Sequence, residues 1–264
     1  IAMFGGSVFL FPHPVKELAD FLKGHGMHIN YDAAHVAGLI AGGKFQDPLR
    51  EGTDTMTMST HKTLFGPQGG LVLGFNRHEE SIKKAMFPGL TSSHHIHHMA
   101  GKAVAFAEAL EFGKDYAAQT INNAKTLASE LNNVGFKVLG EKRGYTESHQ
   151  TVVNVLDYGD GGTIEADLEK ANIIVNRQLI PGDLKANRHY MHPGGIRLGT
   201  SEITRLGMKE SEMKEIASMI KDVVIDKKEP GELKEKIAEF RKEFQKTQYC
   251  FDNKVGAYEY IKLR

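Results

Sequence analysis

Residues 27–43, MHINYDAAHVAGLIAGG, and residues 53–70, TDTMTMSTHKTLFGPQGG, decide the reading of the fold. Met27–Tyr31 and Asp54–Thr60 are short apolar runs of strand length, each followed by polar residues and then by a glycine-bearing segment. Working outward, Ala2–Phe11 and Gly70–Phe75 read as further strands and Val15–Lys23 as a helix. Strands alternating with helical patterns predict an α/β fold with a mostly parallel sheet. Ligands of such sheets gather at the carboxyl ends of the strands, so the residues just past each run are the candidates for chemistry. They are Asp32 and His35 after one run, and His61 and Lys62 after the other.

Beyond this region the pattern changes. Met99–Phe112 is Ala-rich with helical spacing and leads into a second helical stretch, Tyr116–Val134, which together read as a long connector between domains. Phe136–Leu139, Val152–Leu156, Ile173–Asn176 and Ile196–Leu198 then read as short strands, with Ile164–Ala171 and Lys209–Val224 as helices, a small α+β domain. From Pro230 onward, Leu233, Ile237, Phe240 and Phe244 recur at helical spacing among Lys and Glu, the signature of an amphipathic helix packed on a core. The expected organisation is residues 1–113 as part of a large domain with its connecting helix, 114–228 as a small C-terminal domain, and 229–264 as an amphipathic helix and tail.

Composition narrows the function classes. The 264 residues carry 33 Lys+Arg against 33 Asp+Glu, and this neutral balance removes the cationic surface that a nucleic-acid partner requires. No apolar run approaches the roughly 20 residues of a membrane span, so no membrane partner is expected. Cys250, the single cysteine, can form neither an internal disulfide nor a Cys-x-x-Cys metal site, which points to a reducing, cytoplasmic compartment. The run His94, His95, His97, His98 lacks nearby Cys and an identified carboxylate ligand. It reads as a polar helix start rather than a metal site, and no metal is expected.

Lys62 stands after a strand and before a Gly/Pro-rich loop, flanked by Ser59, Thr60, His61 and Thr63. A lysine desolvated in such a place has a lowered pKa and a free amine able to form a Schiff base. Asp32, at the end of the preceding strand, supplies the anionic partner that the ring nitrogen of pyridoxal phosphate needs to stay protonated and act as an electron sink. His35 stands three residues beyond it.

These motifs together, NYDAAHVAGLIAGG and TMSTHKTLFGPQGG, resemble the serine hydroxymethyltransferase family of fold-type I pyridoxal-phosphate enzymes. The resemblance continues through MFPGL, GKAVAFAEAL, NNAKTLASEL, ANIIVNRQLIP and GIRLGTSEITRLGM, covering nearly all of residues 2–225. It implies a fold-type I transferase, its mostly parallel large-domain sheet represented in part, with a smaller C-terminal α+β domain. It also implies the interconversion of serine and glycine, with a one-carbon unit passed to a reduced pterin co-substrate, either tetrahydrofolate or tetrahydromethanopterin. Position by position, Lys62 resembles the lysine that carries the cofactor, Asp32 the partner of the pyridine nitrogen, and His35 and Ser7 the residues near the cofactor's 3′-oxygen. His61 resembles the phosphate contact beside the lysine, and Arg197 the arginine that holds the amino-acid carboxylate. Ser59 stands where the family more often has threonine, keeping the hydroxyl that assists exchange of amines at the cofactor.

After MFPGL the family usually has Gln-Gly-Gly-Pro, a loop whose amides reach the phosphate in a neighbouring subunit, whereas this chain has Thr91, Ser92, Ser93 and His94. Ser92 and Ser93 can still offer amides to a phosphate, although glycine tolerates backbone angles that serine does not. A loop serving a neighbour's cofactor implies a homodimer or a larger assembly. Ile1 opens directly in a strand-like run. The family's phosphate-binding helix start, its ring-stacking histidine and its residues near the hydroxymethyl group are therefore expected in an N-terminal part outside these residues, and a structure of this chain is expected to hold no pyridoxal phosphate. Two alternatives remain open: a related fold-type I aldolase or acyltransferase, and a truncated homologue without catalysis.

Overall fold

The computed structural model describes residues 1–254, Gly256 and Ala257; the last part of the expected 229–264 segment, at Val255 and 258–264, lies outside the described residues. The chain divides into two compact units, Ile1–Ala118 and Gln119–Arg264.

The first unit is built on a four-stranded sheet in the order β1-β2-β3-β4, formed by Ala2–Gly5, Ile29–Asp32, Thr55–Ser59 and Gly70–Gly74. β1, β2 and β3 are mutually parallel, with Gly5 opposite Asp32 and Asp32 opposite Thr57, while β4 runs antiparallel to β3 and brings Gly70 opposite Ser59. Parallel strands need crossover helices. Helix α1 (Val15–Gly24) joins β1 to β2, and the short helices α2 (Ala37–Ala41) and α3 (Pro48–Glu51) lie between β2 and β3. The inner strands are buried along most of their length, polar residues included: Ile29, Asn30 and Tyr31 on β2 and Thr55, Met56 and Met58 on β3.

The apolar run Ala2–Phe11 is a strand only as far as Gly5. Gly5 and Gly6 take φ of 93° and 150°, which ends the extended path, and Phe9 turns back into the core against Tyr31. Gly5 is required where it stands, since a Cβ there would lie 2.1 Å from the Asp32 carbonyl oxygen.

A short helix α4 (Glu79–Lys84) and a turn at Ala85–Leu90 precede α5, which runs unbroken over Ile96–Asn133, so the two helical stretches read from the sequence are one element. The dividing point of the two units falls inside it.

The second unit has an antiparallel sheet in the order β5-β6-β8-β7, from Lys137–Val138, Gln150–Asn154, Gly195–Gly199 and Asn176–Gln178 respectively. Helix α6 (Gly161–Lys170) precedes β7 and is capped by Asp160, which accepts from the amides of Gly162 and Thr163. After β8 come α7 (Ser201–Arg205), α8 (Glu210–Val224) and α9 (Pro230–Arg241). Their apolar faces share one core with the sheet, including Leu131, Ile164, Leu168, Ile196, Met213 and Ile220, to which α9 contributes Leu233 and Ile237. β7 begins at Asn176, later than the Ile173–Asn176 run suggests. Asn172, at φ 64°, turns the chain there, and Ile173 packs on the core without pairing as a strand. Among the described residues no helix is long and apolar enough to cross a membrane.

Candidate active site

The carboxyl edge of the first sheet collects the expected side chains. Asp32 ends β2, and its Oδ1 accepts the Ala34 amide at 3.0 Å while the Ala33 amide bonds to the Thr57 carbonyl at 2.7 Å. The chain is thereby turned sharply off the strand, and the second carboxylate oxygen receives no hydrogen bond from a described residue. His35 follows in this turn, and its Nε2 lies 3.3 Å from the Lys62 amine.

Lys62 is held by the loop that joins β3 to β4. Buried Thr60 closes this loop: its amide bonds to the Gly69 carbonyl at 2.9 Å, its carbonyl accepts the Gly66 amide at 2.7 Å, and its hydroxyl donates to the Pro67 carbonyl at 2.6 Å. Inside the closure, the Phe65 amide bonds to the Lys62 carbonyl at 2.9 Å and Phe65 takes φ of 45°. Thr63 then joins the two halves of the site. Its hydroxyl donates to the His35 carbonyl at 2.9 Å and accepts the Gly38 amide at 3.0 Å, so the backbone beside Lys62 is tied directly to the backbone of His35.

The remaining expected residues are placed as follows. Ser59 ends β3, next to this loop. His61 is exposed, and its Nδ1 faces the Gly69 amide at 3.4 Å. Ser7 is exposed two residues past β1. Ser92 and Ser93 are exposed in the segment before α5. The rings of His95, His97 and His98 gather at the first turn of that helix, with centroids 4.4–5.5 Å apart. Arg197 belongs to the second unit. It lies on β8 opposite Val152 and Asn176, and its guanidinium donates to Asn176 Oδ1 at 2.9 Å. Burial pushes its pKa down from the ordinary guanidinium value, opposed by Tyr190.

Three contributors escaped the sequence reading. The Thr63 hydroxyl and the Gly38 amide act through a bridge to the backbone of His35 that no motif announces. Asp183 is 2% exposed and accepts the amides of Ile180 and Gly194 at 2.9 and 2.8 Å, which pins the loop leading into β8.

A model of the serine hydroxymethyltransferase family matches residues 5–220. The chain belongs to the serine hydroxymethyltransferase family. It is 78% identical to the serine hydroxymethyltransferase of Nitrosopumilus maritimus over 264 residues, and 51% identical to that of Methanopyrus kandleri over 263 residues. These matches cover all of this chain and 60% and 61% of the two relatives, so the chain spans about 60% of the length of the curated relatives it matches. Among solved structures, L-threonine transaldolase from Pseudomonas fluorescens, in its internal aldimine state, is similar at a TM-score of 0.85 and 35% identity, over 97% of this chain and 58% of that one. The fold is accordingly that of the fold-type I pyridoxal-phosphate transferases.

The family implies pyridoxal phosphate, and the donor set at the sheet edge fits it. A carboxylate with one oxygen open suits a protonated ring nitrogen, a primary amine suits the aldehyde, and an imidazole suits the ring's polar substituents.

The Thr63 bridge exists because Gly38 has no side chain. A Cβ on Gly38 would lie 2.0 Å from the Thr63 carbonyl oxygen and 2.3 Å from its carbon, both backbone atoms that cannot rotate away. Gly38→Ala should therefore lower the unfolding free energy by about 3 kcal/mol, the upper range for overpacking a tight core, measured by urea denaturation. An unchanged midpoint would show that α2 and the Lys62 loop are not locked together.

Proposed function

We propose that this chain supplies the lysine-bearing and carboxylate-binding parts of a serine hydroxymethyltransferase, which interconverts serine and glycine and passes the one-carbon unit to a reduced pterin, tetrahydrofolate or tetrahydromethanopterin. The observation that carries the reading is the Lys62–His35 contact of 3.3 Å beside Asp32 at the carboxyl edge of the sheet, in a chain of this family.

Pyridoxal phosphate, when bound, supplies an electron sink for negative charge at the amino acid's α carbon. Asp32 holds the proton on the ring nitrogen, and its Ala34 contact keeps the carboxylate aimed off the strand end. Lys62 would hold the cofactor through its amine. His35 holds that amine within hydrogen-bond reach. Ser59 would offer a hydroxyl beside that amine, His61 would contact the phosphate, the Ser92–Ser93 backbone would reach the phosphate in a neighbouring subunit, and Ser7 would stand near the 3′-oxygen.

Arg197 binds the substrate carboxylate. Its planar fork matches the two oxygens, and anchoring them selects which bond at the α carbon is aligned for cleavage. Serine, glycine and the reduced pterin are thus the small-molecule partners. A homodimer is the proposed assembly, supported by large apolar side chains exposed on the first unit before and along α5, namely Phe87, Leu90, Ile96, Val104 and Leu110.

The transaldolase similarity keeps a second reading in view, an aldol reaction with no one-carbon carrier. Serine turnover to glycine separates the two: it should require a reduced pterin, and pterin-independent turnover at the same rate would favour the aldol reading. Borohydride treatment of the cofactor-loaded protein, followed by peptide mapping, should fix the cofactor on Lys62; a label on another lysine would remove Lys62 from this role. Arg197→Ala should weaken glycine and serine binding by about 2–5 kcal/mol, the cost of losing a buried charge-assisted contact, and leave cofactor affinity nearly unchanged. Equal losses for cofactor and amino acid would count against the carboxylate role.

A further inference from the structure

At the opposite, amino edge of the same sheet, His28 precedes β2, Asp54 precedes β3, and His78 lies in the turn after β4. Asp54 and Thr60 bracket β3, so at about 3.3 Å per residue this cluster lies roughly 20 Å along the strand from the Lys62 loop. The ligand-capable atoms of His28, Asp54 and His78 all lie within 4.8 Å of one another. The Asp54 side chain is buried at 10% exposure, whereas those of His28 and His78 keep 34% and 24%, leaving a path from solvent.

The hydrogen bonds fix the tautomers. Asn30 Nδ2 donates to Thr57, so Asn30 Oδ1 faces Thr55 and accepts its hydroxyl hydrogen at 2.8 Å. Thr55 has then no hydrogen left for His28, and the 2.9 Å contact between them is donated by His28 Nε2. The bare lone pair of a neutral His28 is therefore on Nδ1, which faces Asp54 Oδ2 at 4.0 Å. His78 Nε2 likewise accepts, taking the Arg77 Nε–H at 3.0 Å, and lies 3.6 Å from Asp54 Oδ1. Both imidazoles thus turn their acceptor nitrogens toward one carboxylate. His28 has its other N–H held by a hydroxyl and Asp54 has Oδ2 held by the Ile29 amide at 2.9 Å, the outer-shell support that metal ligands characteristically have.

We propose that His28, Asp54 and His78 form a site for a divalent cation of the zinc class, with water as the fourth ligand. Two imidazoles and a carboxylate are a borderline donor set that favours Zn²⁺, Co²⁺ or Ni²⁺ over Mg²⁺ or Ca²⁺. Bonds of about 2.0–2.1 Å at tetrahedral angles put donor atoms about 3.3 Å apart, so the cluster, whose atoms now lie up to 4.8 Å apart, needs a closing movement of up to about 1.5 Å. The place is now held by a cation of the protein's own: the Arg77 guanidinium donates to Asp54 Oδ1 at 2.6 Å. Arg77 can leave without losing all its contacts, since its side chain is 55% exposed and the guanidinium lies 4.8 Å from the Phe75 ring centroid. The ion replaces Arg77 at the carboxylate and clips together the starts of β2 and β3 and the turn after β4.

The test is titration of the purified protein with Co²⁺, read by its visible d–d absorption, with Zn²⁺ as competitor and the melting temperature as a second readout. One equivalent of Co²⁺ should bind in a tetrahedral environment, give way to Zn²⁺ and raise the melting temperature. Asp54→Asn disturbs the bond to the Ile29 amide and is a poor probe, so the histidines are replaced instead. His28→Gln and His78→Gln should each weaken this equivalent at least tenfold, and Arg77→Gln should tighten it, because it removes the competing charge while leaving all three ligands. The exposed rings of His95, His97 and His98 are the competing site. A wild-type protein that binds no Co²⁺, an equivalent that survives both histidine substitutions, or an Arg77→Gln variant that binds more weakly would each overturn the proposal.

Discussion

The meeting of Lys62 with His35 depends on the two hydrogen bonds made by the Thr63 hydroxyl, one to the His35 carbonyl and one from the Gly38 amide. Lys62 and His35 sit on different loops, each following a different strand, and side-chain attraction alone would hold an amine and an imidazole only loosely. A hydroxyl that joins the two backbones converts their separation into a fixed property of the fold. The bridge is buried, so its polar atoms have no water to fall back on and its loss would leave unpaired groups. It also requires α2 to approach the lysine loop at backbone contact, which only a glycine at position 38 permits.

The sheet separates two kinds of polar cluster by the direction of its strands. At the carboxyl edge, the chain leaves β2 and β3 through turns whose backbone groups are satisfied locally, by Asp32 on one side and by Thr60 on the other. The side chains of Lys62 and His35 meet past these turns, 3.3 Å apart. At the amino edge, Asp54 instead satisfies an incoming strand directly, accepting the Ile29 amide, while the Ile29 carbonyl accepts the Asp54 amide at 2.8 Å. Burial works against its charge. The Ile29 amide, Arg77, His28 and Lys23 overcome that and hold the Asp54 carboxyl below its ordinary range.

What could be read in the sequence follows from the range of the interactions involved. The strands bearing Asp32 and leading to Lys62 were legible because apolar runs bounded by Gly and polar residues are local signals, and the long motifs around them carried the family. The truncation of the first strand at Gly5 was not, because Phe9 beyond it is buried by a turn rather than by sheet pairing. The unbroken α5 was legible in kind but not in extent. Gly113 suggests a break, yet it is buried where Gly42 comes within 3.9 Å of its Cβ direction, a close approach of the helix to the turn after α2. The His28–Asp54–His78 group was invisible for a different reason. Its members share no spacing pattern, and only the β2–β3 and β3–β4 registers bring their strand ends together.

In the second unit the demand on Arg197 is a different one. A guanidinium that is to orient a carboxylate must itself be oriented, and a long side chain loses about 2 kcal/mol of rotamer freedom when it is fixed. Here part of that ordering precedes any ligand. Arg197 stands on a strand paired on both sides, by β6 and β7, and the neighbouring strand presents Asn176 Oδ1 to its guanidinium at 2.9 Å. The loop before β8 is closed by Asp183, whose carboxylate takes the amides at both of its ends, and Gly195 packs its backbone under Ile180 where a Cβ would meet that side chain at 2.4 Å. The strand therefore enters the sheet in one register, and Arg197 is carried to one face of it. Asn176 is a neutral partner, so this contact orients the guanidinium without placing a negative charge beside it; in the carboxylate-binding role proposed above, an Asp at that position would compete with the substrate acid.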